Sequence, residues 1–300
     1  MNNAASVKDR LKNRSKETGK THQELLTAYG LERTIYRISM SSYKENFTLK
    51  GGIFLYAVFG GDFSRATTDI DLLAEKISNE VGSMKAVFSD IFSLETDDPL
   101  HFDLQSLEAK AITEFKEYHG VNISIMAFLD RTRIPVSIDI GFGDVIYPGR
   151  EELDFPVVLN DKNPRIYAYS LYSSAAEKFE AIVSLAYDNS RFKDFYDLYM
   201  LALNYDYDGK TLEEAVRETF RNRHTSFTEI AAFDPGFPED PVRQSRWKAF
   251  VKKKRAMIPV TLEETICVIR KFLEPIAASI IADKKSEKKW NHEQQSWELK

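Results

Sequence analysis

The hydrophobic pattern of this 300-residue chain changes period once, and that change limits the folds open to it. Three segments alternate apolar and polar residues: LHFDLQSLEAKAI (100–112), GVNISIMAFLD (120–130) and RIPVSIDIGFGD (133–144). The phase is clearest where Val136, Ile138 and Ile140 interleave with Ser137, Asp139 and Gly141, which is how a strand with one buried face reads. FTLK and DIDLLAE read as two further short strands, with the apolar run Ile53–Phe59 between them and an amphipathic helix over 81–93. After NDKNPRIYAYS the period becomes helical. LYSSAAEKFEAIVSLAY, RFKDFYDLYMLALNY, KTLEEAVRETFRNR, PVRQSRWKAFVKKKR and TLEETICVIRKFLEPIAASIIADKK each read as a helix. The expectation is an α/β (α+β) domain with a mixed sheet over residues 1–165, of which 1–45 are a helical lead-in. An all-helical domain over 166–300 should follow, with a charged, frayed tail from about Lys284.

Composition narrows the class. A chain that is 43% hydrophobic and 12% aromatic can bury a large core, so disorder is not expected. A formal net charge of -5 provides no global basic field, so any nucleic-acid contact must come from a local patch. The single cysteine, Cys267, excludes a disulfide framework and a zinc cluster. With no apolar leader and no run long enough to span a bilayer, a cytoplasmic protein without membrane contact is expected.

The chemistry concentrates in LKGGIFLYAVFGGDFSRATTDIDL, residues 49–72. Two residues apart on a strand, Asp69 and Asp71 project from one face, with Ile70 turned inward. Carboxylates that close repel unless a cation lies between them, and Mg²⁺ (or Mn²⁺) takes a few such ligands, leaving other positions to water and phosphate. The strand phase selects Asp139 as a third ligand, ahead of Asp103 and Asp144. Gly51 and Gly52 would let backbone N–H groups approach a triphosphate, and Arg65 would add a charged contact.

Lys178 is a second candidate for a nucleotide phosphate, with Asp194 orienting it and Asp197 one helical turn on. An interhelical ion pair is the alternative. Arg243, Arg246, Lys252, Lys253, Lys254 and Arg255, interleaved with Trp247 and Phe250, form a basic stretch suited to an RNA acceptor end. A surface helix with core aromatics is the alternative. Arg217, Arg221 and Arg223 make a weaker second patch.

LKGG followed by SRATTDIDL resembles the first motif of the nucleotidyltransferase superfamily, in the form carried by AbiEii-type abortive-infection toxins. The second glycine stands where some members have serine. AAEKFEAIVSLAYDNSRFKDFYDLYML resembles the family's helical motifs, with Lys193 where arginine is common; the family's functional lysine and aspartate map to Lys178 and Asp194. The resemblance spans roughly residues 45–200. It implies a nucleotidyltransferase fold with the active site in a cleft completed by the helical domain. It implies an NTP substrate held through Mg²⁺, and release of pyrophosphate as a nucleotidyl group moves to an acceptor hydroxyl. In some toxins of this branch that acceptor is the tRNA 3′ end, and a cognate antitoxin neutralises the toxin. A small-molecule or protein acceptor, or a non-catalytic NTP-binding regulator, stay open.

Overall fold

The computed structural model describes residues 3–62, 67–113, 119–227, 229–253 and 259–299. The chain forms two compact units, Met1–Gly143 with Glu151–Ala168, and Asp144–Arg150 with Tyr169–Lys300.

The first unit comprises α1 (Ala4–Thr18), α2 (His22–Met40), β1 (Phe47–Lys50), α3 (Gly51–Val58), β2 (Ile70–Ala74) and α4 (Val81–Phe92). It continues with β3 (Leu100–Thr113), β4 (His119–Leu129), β5 (Thr132–Phe142), β6 (Glu151–Asp154) and β7 (Arg165–Ala168). Helix α2 starts where its sequence dictates. The Thr21 hydroxyl accepts the Glu24 N–H while the Glu24 carboxylate accepts the Thr21 N–H, satisfying two orphan donors at once. Its apolar residues Leu25, Leu26, Leu31, Ile35 and Ile38 are buried. Arg37 is buried with them because Asp98 takes its guanidinium at 3.0 and 3.3 Å, and a paired charge survives burial where a lone one does not.

The sheet runs β3-β4-β5-β2-β1-β7-β6. β2 lies parallel to β5 and β1 parallel to β7; the other pairs are antiparallel, so the sheet is mixed as the sequence predicts. Helix α2 packs on β5, and α4 on β3 and β4. Val136, Ile138 and Ile140 are buried on one side of β5, while Ser137 and Asp139 are half-buried on the other. Strands β6 and β7 were not expected from the sequence. Each has four residues, too few to show a period, and their pairing is with each other and with distant β1.

The second unit contains α5 (Leu171–Leu185), α6 (Phe192–Asn204), β8 (Tyr207–Asp208), α7 (Gly209–Asn222), α8 (Gly236–Glu239), α9 (Pro241–Lys253), α10 (Leu262–Ile281), β9 (Lys288–Asn291) and β10 (Ser296–Leu299). Helices α5, α6, α7 and α10 pack on one another. The all-helical expectation needs correction, because β10, β9 and β8 form a three-stranded antiparallel sheet among the described residues. The frayed tail needs correction with it. Trp290 on β9 is fully buried, stands opposite Tyr207, and donates from Nε1 to the Ala202 carbonyl at 2.8 Å. One large aromatic outweighs the lysines around it, since burying its ring gains more than the solvated charges cost.

Segment 144–150 is tied into this unit by charge. The Arg223 guanidinium reaches Asp144 at 2.8 Å and Glu177 and Glu180 at 3.0 Å each. Burial opposes its charge, but Glu177 and Asp144 outweigh burial and raise its pKa. Arg223 is therefore an internal clamp and leaves the weaker basic patch. Arg217 is likewise taken by Glu213 at 3.0 Å.

Candidate active site

Parallel pairing of β2 with β5 puts Asp71 beside Asp139, with Ile70 opposite Ile138 and Leu72 opposite Ile140. The isoleucines and the leucine are fully buried, which fixes the register, since a slip of one residue would turn the carboxylates into the core. Asp69 lies just before β2, on the same side of Ile70 as Asp71. Each of the three carboxylates offers an oxygen, and the three oxygens lie within 4.8 Å of one another, half-buried. The strand phase thus selects a residue that the fold brings to Asp69 and Asp71. The two alternatives lie elsewhere: Asp144 pairs with Arg223, and Asp103 accepts the Gln105 N–H at 3.1 Å.

The glycine pair has a use that the sequence does not reveal. Gly51 has φ +61°, a conformation L side chains rarely adopt, and a Cβ there would meet the Asp71 carboxylate. The Gly52 N–H, in the first turn of α3, donates to Asp71 Oδ2 at 3.2 Å. The glycine turn and the aspartate form one packed unit. Asn122 was also missed. It stands opposite Asp139 on β4, and its Nδ2 donates to Asp139 Oδ1 at 2.6 Å and to Ser137 Oγ at 2.9 Å. Its polar phase within VNISI is a signal, but the register that aims it at Asp139 is non-local.

Three clustered carboxylates are a hard, oxygen-only donor set. That composition fits Mg²⁺ or Mn²⁺ and not the softer ions that seek sulfur and imidazole.

In the second unit, Lys178 is buried and its ammonium lies 3.2 Å from Asp194 and 2.7 Å from Asp197. Arg191, missed as a partner, donates to Asp194 at 2.8 Å. Asp197 is fully buried and makes the closer contact to the lysine, so it takes as much part in holding Lys178 as Asp194 does.

The basic stretch is divided. Arg246 and Lys252 are exposed on α9. Arg243 is used internally, donating to the Phe237 and Tyr187 carbonyls at 2.9 Å each and lying 3.8 Å from the Phe237 ring centre. Trp247 is 2% exposed and donates to the Val260 carbonyl at 2.8 Å, so it is a core residue and not a platform for bases. Lys253 ends α9. Lys254, Arg255 and Arg65 lie outside the described residues.

A mixed sheet that sets one carboxylate on a strand and another just ahead of it, a third on the parallel neighbour and a glycine turn beside them defines the class, a protein with the nucleotidyltransferase fold. The sequence matches the family model for the nucleotidyl transferase AbiEii toxin of type IV toxin–antitoxin systems over residues 33–264, and the chain belongs to that family. Among solved structures it is similar to a candidate nucleotidyltransferase from Helicobacter pylori, at 16% identity and TM-score 0.50, covering 87% of this chain and 98% of that one. JHP933 from the same organism is similar at 17% identity and TM-score 0.48, with coverage of 86% and 97%. An antigenic nucleotidyltransferase-like protein from Paracoccidioides brasiliensis aligns at 12% identity and TM-score 0.35, with coverage of 79% and 92%. The sequence finds no significant match among curated proteins.

Proposed function

We propose that this protein is a metal-dependent nucleotidyltransferase toxin that moves a nucleotidyl group from an NTP to an RNA acceptor, with the tRNA 3′ end as the favoured site, and that a cognate antitoxin neutralises it. The observation that carries the reading is the meeting of Asp69, Asp71 and Asp139 beside the Gly51–Gly52 turn, in a chain of the AbiEii family.

Asp69, Asp71 and Asp139 would hold Mg²⁺ or Mn²⁺. When bound, such an ion offsets triphosphate charge and stabilises the charge that develops at the reacting phosphoryl group. The first-turn N–H groups of α3 would face phosphate oxygens, where the helix end favours anions. The acceptor oxygen bonds to the α-phosphorus, the α–β anhydride bond breaks, and pyrophosphate leaves. The acceptor's proton passes to Asp139, which Asn122 holds in orientation. Lys178, steadied by Asp194 and Asp197, would meet a phosphate, and Arg246 and Lys252 would attract the RNA backbone.

The test incubates the protein with Mg²⁺, total tRNA and each α-³²P NTP in turn, beside an Asp69→Ala, Asp71→Ala control. Label should enter tRNA with the wild type alone, which also names the nucleotide. NTP binding without label in RNA would shift the acceptor to a small molecule or protein. Absence of both binding and transfer would sink the reading.

A further inference from the structure

A groove of about 360 Å³ opens on the carboxylate-bearing face of the first unit's sheet, lined by Thr68, Ser106, Ser124, Met126, Pro135 and Ser137 among others. Among the described residues its lining contains no charged side chain. Thr68 adjoins Asp69 in the chain, and Ser137 lies two residues before Asp139 on β5, so the groove neighbours the carboxylates and extends along β5 on the side away from Asp139.

Two hydroxyls form its floor. Ser124 and Ser137 are register partners across β4 and β5, an arrangement that puts their Cβ atoms about 5 Å apart. Ser137 Oγ accepts from Asn122, which keeps the Ser137 proton for another acceptor. The half-buried Ser124 hydroxyl takes no partner among the described residues. Half-buried hydroxyls with donor and acceptor capacity to spare suit a neutral, hydroxyl-bearing ligand. Pro135 and Met126, the next register pair along, add an apolar end against which a flat ring can lie.

The position selects the ligand. The glycine turn lies at the β1–α3 junction, on one flank of β2, and the groove lies over β5, β4 and β3, on the other flank. In-line transfer puts the attacking oxygen and the departing pyrophosphate on opposite sides of the phosphorus. With the triphosphate on the glycine flank, the acceptor must come from the groove flank. From Asp139 to the serine pair is two strand residues, or about 7 Å, which is the reach of one nucleoside from its sugar hydroxyl to its base.

We infer that this groove is the acceptor subsite, and that it receives the terminal nucleoside of the RNA with its ribose hydroxyl at Asp139 and its sugar and base over Ser137, Ser124, Met126 and Pro135. The assignment rests on the proposed transferase activity. It adds a neutral subsite to the cationic contacts: lysines and arginines elsewhere attract the RNA backbone without regard to sequence, while this floor positions its last residue.

The experiment measures label transfer from α-³²P NTP to total tRNA by the wild type, Ser124→Leu, which fills the groove, and Ser124→Ala, which removes one hydroxyl with little risk to the fold. KM for tRNA should rise about tenfold in Ser124→Leu and about threefold in Ser124→Ala, while KM for the NTP stays within twofold. An unchanged KM for tRNA in both variants overturns the subsite while leaving the transferase reading intact. So does a parallel rise of both KM values, which would place Ser124 in the nucleotide site. Label entering a protein acceptor and not tRNA overturns the RNA assignment. Absence of transfer by the wild type itself overturns both readings together.

Discussion

Asp71 and Gly51 show how little room a single residue has at this site. The carboxylate occupies the space a Cβ would need, and the backbone is already at φ +61°. Gly51→Ala must therefore strain the turn, at a cost on the order of 1–3 kcal/mol, and push Asp71 away from Asp69 and Asp139. A displacement near 1 Å at reacting groups lowers rates about 100-fold. The expected outcome is a lower melting temperature and loss of nearly all transfer. A variant with wild-type melting and wild-type transfer would show that the glycine has no such part.

At the scale of the element, α2 combines an apolar face with charges that are buried. Glu32 on this helix is fully buried, and its carboxylate accepts the Val158 N–H at 2.6 Å. Burial pushes its pKa up from 4.5 to about 7, with Asp161 adding to the rise while Arg33 and the Val158 N–H oppose it. The unfolded chain releases this proton near 4.5, and the folded chain keeps it to about 7. Between those values the folded state binds more protons, so the Glu32 contribution is full below 4.5 and is lost as pH rises through 7. Glu32→Gln, which cannot ionise, should lessen the fall in stability between pH 5 and pH 8 seen by urea denaturation. An identical fall in wild type and variant would count against it. Elements also set how much of the fold can be read from sequence. β5 is eleven residues with a clean alternation, and its phase alone put Asp139 on the face of Asp69 and Asp71. β6 and β7 left no such trace, and β9 is mostly polar apart from Trp290. The basic stretch is legible only in part for a related reason: spacing along α9 does not say which side is covered, and Arg243 and Trp247 are held by Tyr187 and Val260, outside the helix.

For the whole molecule, the small sheet at the end of the chain is structural. Trp290 packs against Phe272 and Trp297, with ring centres 5.0 and 5.7 Å away. Trp290→Ala should destabilise the protein by about 3–5 kcal/mol, read as a lower urea midpoint. Wild-type stability in that variant would return the tail to a dispensable appendage. Among the described residues, no helix is long and apolar enough to cross a membrane.

The sheet's pairing also orders events in time. β1 has two neighbours: β2, the second element after it, and β7, which comes only after five further elements. As the chain leaves the ribosome, the strands bearing the three aspartates can assemble once Phe142 has emerged. The outer edge of β1, with Thr48 and Leu49, then waits for Tyr167 and Ala168. Long-range pairing of this kind forms late, and an open edge is a template for other chains in the interval. The aspartate-bearing half of the sheet can thus form before the edge that protects it from self-association.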